Sequence, residues 1–278
     1  MHMKGPKIVL LTDFSPLSKV AMNYAVKMAA NLSAEFTMLS IVRLEGMPKA
    51  NLKLRQFEKN IARISEEEGA VLVKEITSQI KGNYTMRFKA VRAHTVAEMV
   101  RKYVDKNQTN MVVMGLQGAS ALKKARLGGT TVSVIDECKV PVMAIPEKAK
   151  YRNMEHIVYA SDLKFVQKEL DIIVEFARIF GSTVHMIHVA PMMDKKLEAE
   201  KIAVEEIISK TGYDKLDFKL ILDDDITTAI DGYIKETKAD LLTTFTHKLS
   251  FEEKLFGRSV TRRLAYQGTI PLLAVKRK

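Results

Sequence analysis

Residues 110–145, NMVVMGLQGASALKKARLGGTTVSVIDECKVPVMAI, contain the order of elements that decides the fold. The apolar runs at 110–115 and 140–145 have the length of strands, and the stretch that begins at about Thr131 between them is predicted to be a helix. A strand, a helix and a second strand in this order indicate parallel strands with a helical crossover. This segment therefore predicts an α/β protein.

The same alternation continues on the N-terminal side of this segment. Ser15 and Pro16 supply an N-cap and a first-turn proline for the first helix. Apolar residues at helical spacing lie between the strands, which predicts a parallel sheet with helices on both faces. The strands predicted in the first half are 7–12, 35–42, 85–92, 110–115 and 140–145.

The second half of the chain repeats the first. Asp13 corresponds to Asp162 at an offset of 149 residues, and Pro141 corresponds to Pro271 at an offset of 130. The difference of 19 residues predicts a deletion in the second copy, in the helix that spans about 51–82. The strands of the second copy are predicted at 156–161, 183–190, 217–222, 240–245 and 270–275.

The offsets of 149 and 130 residues correspond to a repeat of whole-domain length, which indicates a duplicated domain rather than a solenoid. The two copies join near residues 146–155, PEKAKYRNME, a segment that is charged and poor in apolar residues. We therefore predict two tandem domains, at residues 1–148 and 149–278.

Charge and cysteine content limit the class of protein. Lys and Arg number 44 against 33 Asp and Glu, and the net charge of +11 favours nucleotides, nucleic acids or an acidic membrane surface without choosing among them. A solvated basic surface with no specific partner is an equal alternative. The single cysteine, Cys138, excludes an intrachain disulfide framework and a cysteine-rich metal site. No apolar run reaches the roughly 20 residues that span a bilayer, and the first residues lack the apolar core of a secretory signal, so we predict a soluble, cytoplasmic protein without membrane contact.

Three glycines follow the fourth strand with the spacing G-x2-G-x9-G, at Gly115, Gly118 and Gly128. Ligands of open parallel sheets bind beyond the carboxyl ends of the strands, where the strand order reverses. Asp13 ends the first strand, so it would flank one crevice with the glycine loop if strands one and four were neighbours. Its carboxylate could accept hydrogen bonds from ribose hydroxyls or an adenine amine. A turn residue before a helix is an equal interpretation of Asp13.

The glycine loop suits a phosphorylated ligand. Glycines expose backbone N–H groups, and a helix N-terminus carries partial positive charge, so that together they favour anions. Thr130 and Thr131 add hydroxyls, and Lys123, Lys124 and Arg126 raise the local potential. The chain has neither a Walker A string nor a GxGxxG after its first strand, which excludes those two nucleotide-binding motifs.

With this motif and this duplication, the whole chain resembles a tandem universal stress protein. The resemblance implies two tandem Rossmann-like domains of the adenine nucleotide alpha hydrolase type, each an open five-stranded parallel sheet with strands one and four adjacent. Nucleotide-binding members carry G-x2-G-x9-G before Ser or Thr, an aspartate at the end of the first strand that contacts the nucleoside, and second-strand backbone groups near adenine. The positions of this chain that match are Asp13, Val42, Gly115, Gly118 and Gly128.

The glycine motif departs from the family pattern at one place. Gly129 stands where family members have Ser or Thr, Thr130 comes one position later, and Thr131 aligns with a further hydroxyl residue of the motif. One hydroxyl ligand of the phosphate is therefore lost or replaced by Thr130, whereas the backbone donors remain. The resemblance implies ATP as the ligand, with or without Mg²⁺.

The second copy has lost the glycines of the first. Phe245, Lys248 and Arg258 occupy their three places, although Asp162 remains. We expect a filled pocket that does not bind nucleotide, and contacts of Arg258 and His247 with a phosphate are the alternative. The prediction is one functional and one non-functional site.

Three functions are open at this point. The favoured one is an ATP-binding regulatory protein of stress adaptation and signalling, in which the ligand shifts a surface that an unidentified protein partner recognises. A slow ATPase is the enzyme alternative, since charge stabilisation is the one requirement of phosphoryl transfer visible here, and no catalytic residue is predicted. The third is a nucleotide-independent scaffold or polyanion binder, whose affinity would fall with salt. Nucleic acid is not the expected partner, because the tyrosines form no aromatic ladder.

The fifth strands, VPVMAI and IPLLAV, are expected at sheet edges, where unpaired backbone groups invite another strand. In the family such strands pair between subunits. The resemblance therefore implies an intramolecular pseudo-dimer, with a homodimer as a further option.

Histidines do not indicate a metal site. His94, His156, His185 and His188 lack the close spacing of metal ligands. By strand parity His185 and His188 face opposite sides of their strand, which favours core or surface roles.

Overall fold

The computed structural model describes residues 5–43, 52–116, 128–192, 197–246 and 270–277. These residues form two compact units that divide between Lys148 and Ala149. We call the described residues up to 148 the N-unit and those from 149 the C-unit. None of the helices described in either unit combines the length and apolar character that a membrane crossing requires.

The N-unit alternates strands and helices from its start. Its five strands are all parallel and lie in the order β3-β2-β1-β4-β5, so the order reverses between β1 and β4. The elements are β1 (Lys7–Thr12), α1 (Pro16–Ala29), β2 (Ala34–Arg43), α2 (Leu52–Gln79), β3 (Tyr84–Ala93), α3 (Val96–Asn107), β4 (Met111–Gly115), α4 (Gly129–Glu137) and β5 (Val142–Ile145). The predicted adjacency of strands one and four is confirmed.

Burial explains the sequence patterns of these strands. All of β4 is buried, and so is β1 after its first residue, which is why both are continuous apolar runs. In contrast, β3 is the outermost strand of its unit in this order and alternates between half-buried and exposed side chains. The helices pack on the strands, with α1 on β1 and β4 and α2 on β3.

The C-unit repeats this topology with parallel strands in the order β8-β7-β6-β9-β10. Its elements are β6 (His156–Ala160), α5 (Val166–Phe180), β7 (Thr183–Ala190), α6 (Leu197–Ser209), β8 (Leu216–Leu222), α7 (Ile226–Thr237), β9 (Leu241–Thr246) and β10 (Leu272–Lys276). The predicted α/β class with a repeated five-stranded parallel sheet is therefore confirmed. Residues 247–269, which include the positions Lys248 and Arg258, lie outside the described residues.

The deletion in the second copy has a structural counterpart. Helix α2 has 28 residues, whereas the corresponding helix α6 has 13. The shorter helix thus accounts for most of the 19 residues by which the two copies differ.

Candidate functional site

The reversal of strand order brings two predicted site residues to one edge of the N-unit sheet. Leu10 of β1 is in register with Val113 of β4. Asp13 follows β1 directly, and Gly115 is the last residue of β4, so both lie at the carboxyl edge. Val42, near the end of the neighbouring strand β2, lies at the same edge.

The turn after β1 fixes the position of Asp13. The Ser15 N–H donates to Asp13 Oδ1 at 3.1 Å, which is an Asx turn, and the Asp13 side chain is exposed. Ser15 then caps α1, because its Oγ accepts from the Ser18 N–H at 3.2 Å. The turn role expected for Asp13 is thus present, and it places an exposed carboxylate at the sheet edge.

An aromatic contact with β3 packs against this turn. Phe14, which follows Asp13, has a φ of +60°, and its ring lies 5.8 Å from the ring of Phe88 on β3, centroid to centroid. Phe88 in turn packs on Gly69 of α2, where an added Cβ would lie 2.2 Å from Phe88 Cγ. Gly69 is therefore a close-approach glycine in the middle of a helix.

Helix α4 begins at this edge, two residues earlier than the sequence predicts. Gly128 is its N-cap and makes no side-chain cap bond, and the first intrahelical bond runs from the Val132 N–H to the Gly128 carbonyl. The N–H groups of Gly129, Thr130 and Thr131 therefore belong to the open first turn, the end of a helix that favours anions.

The two glycines at this helix start do not owe their presence to a left-handed backbone. Gly128 has a φ of −57°, and Gly129 is helical. A Cβ added to Gly129 would meet no atom of the described residues within 4 Å, so their packing does not exclude a side chain there. Gly118, Lys123, Lys124 and Arg126 lie outside the described residues.

Thr131 has a structural role that the sequence did not predict. Its side chain is 1% exposed, and its hydroxyl donates to the Gly115 carbonyl at 3.2 Å. This bond ties the start of α4 to the end of β4. The hydroxyl proton of Thr131 is used within the protein here, and the neighbouring Thr130 is half-buried.

The carboxyl edge of the C-unit differs from that of the N-unit by a charged network. Arg277, just after β10, donates from its two terminal nitrogens to both carboxylate oxygens of Asp162, at 2.8 and 2.5 Å. Its Nε donates to Glu169 of α5 at 2.5 Å, and Glu169 is only 2% exposed. The Tyr159 hydroxyl also donates to Glu169 and lies 3.0 Å from Ser161 Oγ.

The proton affinities in this network reflect the same contacts. Burial alone would raise the pKa of Asp162, but hydrogen bonds from Arg277 and from the Lys164 backbone outweigh it, so the pKa is lowered. Burial raises the pKa of Tyr159, and the neighbouring Glu169 raises it further. The network is therefore an ionised guanidinium between two carboxyl groups, beside a neutral phenol.

Sequence reasoning missed this network. The positions of Tyr159, Glu169 and Arg277 in the second copy correspond by the repeat offsets to Leu10, Val20 and Glu147 in the first. Glu169 was the signal that could have revealed it, because a carboxylate interrupts the apolar face of α5 among buried Val166, Leu170 and Ile173.

No group of three or more His, Cys, Asp or Glu side chains in the described parts of the two units is arranged to hold a metal ion. The histidines are nevertheless closer than their spacing suggests. His156 Nδ1 lies 3.1 Å from His185 Nε2, and His185 Nδ1 lies 2.8 Å from Asp217 Oδ2.

Comparison with known proteins gives the same family as the motifs. The profile described as the universal stress protein family matches residues 6–146, just over half of the chain. A universal stress protein of Methanocaldococcus jannaschii is 25% identical over 148 residues, which are 52% of this chain and 84% of that protein.

Solved structures resemble the chain at two levels. The crystal structure of a universal stress protein from Archaeoglobus fulgidus covers 98% of this chain and 98% of its own, with a TM-score of 0.77 at 20% identity, a likeness that shows the fold. Another universal stress protein of that organism, in complex with dAMP, matches 45% of this chain and 100% of its own with a TM-score of 0.36 at 21% identity, too low to bear on the ligand. With the family profile matched over more than half of its length, this chain belongs to the universal stress protein family.

Proposed function

We propose that this protein binds an adenine nucleotide at the carboxyl edge of the N-unit sheet and acts as a regulatory protein of stress adaptation. ATP, with or without Mg²⁺, is the proposed ligand. The observation that carries the proposal is the convergence of Asp13, the end of β2 and the open start of α4 where the strand order reverses.

Each part of this edge suits a different part of a nucleotide. The exposed Asp13 carboxylate is an acceptor for ribose hydroxyls or an adenine amine. Backbone groups near Val42 on the neighbouring strand are in a position to contact the base. The first turn of α4 offers N–H groups and partial positive charge to phosphate oxygens.

Gly129 leaves the start of α4 accessible. Its backbone is helical, and a Cβ added to it would meet no atom of the described residues within 4 Å. The backbone of the first turn is therefore open to the approach of a phosphate oxygen, which favours anion binding there.

We further propose one nucleotide site per chain, in the N-unit. The C-unit carboxylate that corresponds to Asp13 is Asp162, and it is held by both terminal nitrogens of Arg277. A nucleoside hydroxyl that displaced this guanidinium would replace a charged bidentate pair with weaker hydrogen bonds. The N-unit has Glu147 at the position of Arg277, so the same pair cannot form there.

Regulation rather than turnover is the proposed role. Phosphoryl transfer requires a group that orients the attacking water and charge stabilisation at the transferred phosphate. Asp13 is the carboxylate that directly follows β1 at the β1–β4 reversal, and its proposed contact is the nucleoside rather than an attacking water. Bound nucleotide would instead stabilise one arrangement of the α4 start, and a protein partner would recognise the resulting surface. The cytoplasm is the proposed compartment, since the single cysteine is a buried free thiol.

Isothermal titration calorimetry with ATP, ADP and AMP tests the proposal. The wild-type chain should bind one equivalent, and Asp13→Ala should weaken binding about tenfold or more, because a hydrogen bond to a charged group contributes about 1.5–3 kcal/mol. Asp171→Asn, which removes an exposed carboxylate of α5, is the matched control and should bind as the wild type does. No heat with any of the three nucleotides, or equal affinity in Asp13→Ala, would overturn the proposal.

A further inference from the structure

A cavity of about 250 Å³ lies at the opposite, amino edge of the N-unit sheet. It is bounded by the first halves of β1, β2 and β3 and by the end of α3. The side chains that matter for its chemistry are Lys7, Glu35, Thr37, Arg87, Tyr103 and Lys106. We propose that this basic cavity binds a small multivalent anion of the phosphate or pyrophosphate type.

The charges of the side chains that line the basic cavity favour an anion. Three cations, Lys7, Arg87 and Lys106, line the basic cavity together with one carboxylate, Glu35. Among the described residues, none of the three cations forms an ion pair with a carboxylate. Uncompensated cations around a concave surface raise the local potential and concentrate anions there.

A hydrogen bond to Thr37 fixes the orientation of Arg87. Its Nε donates to Thr37 Oγ1 at 3.1 Å, and Thr37 is itself 6% exposed. This bond orients the guanidinium and leaves the N–H groups of both terminal nitrogens for a ligand. Such a planar fork matches the oxygens of phosphate in two parallel hydrogen bonds. Lys106 lies in the last turn of α3, where a cation also complements the helix dipole. Because the dipole alone would explain a lysine there, the inference rests on Arg87 and Lys7.

The C-unit provides a comparison within the same chain. Strand register and the repeat offset assign a C-unit counterpart to each charged side chain of the basic cavity and to Thr37. The pairs are Lys7 with His156, Glu35 with Thr183, Thr37 with His185, Arg87 with Asp217, and Lys106 with Glu236.

In the C-unit the counterparts satisfy one another. His156, His185 and Asp217 form a chain of two contacts, at 3.1 and 2.8 Å. Glu236 accepts from Lys219 at 3.2 Å. The acidic sites of the C-unit are thus paired internally, whereas Lys7, Arg87 and Lys106 form no ion pair within the part of the N-unit that the structure describes.

Two contacts around these groups are the same in both units. The amine of Lys89 lies over the Tyr103 ring at 5.4 Å, and that of Lys219 lies over the Tyr233 ring at 4.6 Å. Asn110 also fixes the start of β1 by accepting from the Lys7 N–H at 2.8 Å, as Asp240 does for β6. The fold therefore forms without cations at these positions, and a ligand explains why the N-unit has them.

The size of the basic cavity selects the class of ligand. Pockets for drug-sized ligands measure about 300–1,000 Å³, and the basic cavity lies below that range, which favours a compact anion over a whole nucleotide. Phosphate and pyrophosphate have the required charge and oxygen geometry.

Calorimetry of the full chain with inorganic phosphate and with pyrophosphate, at low ionic strength, tests this inference. We expect saturable binding in the wild type and at least a tenfold loss of affinity in Arg87→Gln. Lys7→Gln should weaken binding in the same direction and serves as the second variant if Arg87→Gln fails to fold. Lys168→Gln, which removes an exposed lysine of α5, is the control for net charge and should retain wild-type affinity.

Two further titrations separate this site from the proposed nucleotide site. Pyrophosphate should bind the ATP-saturated wild type as it binds the free chain, and Arg87→Gln should keep the wild-type affinity for ATP. Loss of pyrophosphate binding in the ATP-saturated chain would assign the anion to the carboxyl edge and overturn the inference. Absence of heat with both anions in the wild type, or equal losses in Arg87→Gln and Lys168→Gln, would overturn it as well.

Discussion

Arg277 forms a bidentate ion pair with Asp162 across 115 positions of the chain, and its third donor reaches the buried Glu169. The guanidinium is 12% exposed, and the Glu169 side chain is 2% exposed. Removal of one partner from a buried pair leaves an uncompensated charge, which costs about 3–5 kcal/mol. The buried Glu169 therefore depends on Arg277, and the same guanidinium occupies the carboxylate that corresponds to Asp13.

Arg277→Met is expected to lower the free energy of unfolding by about 3 kcal/mol, because Glu169 loses its cation. Urea denaturation followed by circular dichroism measures the change. The double variant Arg277→Met with Glu169→Val, which installs the valine that the first copy has at position 20, should recover most of the loss. A loss below about 1 kcal/mol in the single variant would show that the pair is solvated and not structural.

The same pair predicts an acid-sensitive stability. Burial raises the pKa of Asp162 but hydrogen bonds from Arg277 outweigh it, and the folded-state pKa is lowered. Its contribution is then complete above the unfolded-state pKa of about 3.9 and is lost as the pH falls through the folded value. Urea titrations from about pH 6 to pH 3 should show this decline, and Asp162→Asn should make it shallower. An unchanged slope in Asp162→Asn would contradict the assignment.

Gly69→Ala tests the support beneath Asp13. The new Cβ would lie 2.2 Å from Phe88 Cγ, so Phe88 must shift, and the ring of Phe14 with it. We expect a loss of about 1–3 kcal/mol from overpacking and weaker ATP binding, measured by urea denaturation and calorimetry. Gly232→Ala in α7 is the matched control, since its Cβ would meet no described atom within 4 Å. That variant should gain about 0.5–1 kcal/mol, and a similar gain in Gly69→Ala would refute the packing argument.

Ser15→Ala separates stability from ligand contact. The variant removes the hydroxyl that accepts from the Ser18 N–H, which should cost about 1 kcal/mol. The Ser15 N–H that holds Asp13 belongs to the backbone and remains. Thermal unfolding should therefore shift to lower temperature while ATP affinity stays close to the wild-type value. Parallel losses of both would mean that the cap itself positions Asp13.

The fold was predictable because burial leaves a direct trace in the sequence. Strands β1 and β4 are buried along nearly their whole length, and in the sequence they are therefore continuous apolar runs. The correspondence of Asp13 with Asp162 then predicts the second unit. The start of α4 was placed two residues late, because Gly129 has low helix propensity and gave no signal of a helical position.

The polar networks were not predictable for a different reason. Arg277 meets Asp162 because their two strands end at the same edge, and no local spacing records a pairing between such distant positions. His156 and His185 meet across neighbouring strands in the same way. Local patterns determine which side chains are buried, whereas the order of strands determines which polar groups face one another.

No atom of the described residues lies within 4 Å of a Cβ added to Gly129, so that residue is also a suitable point for chemical labelling. Cys138, the single native cysteine, is fully buried, so a thiol introduced as Gly129→Cys would be the reactive one in the folded protein. Its alkylation by a maleimide dye would report directly on what approaches the start of α4. If ATP protects the thiol from the dye and pyrophosphate at the amino edge does not, Gly129→Cys reports occupancy of the proposed nucleotide site.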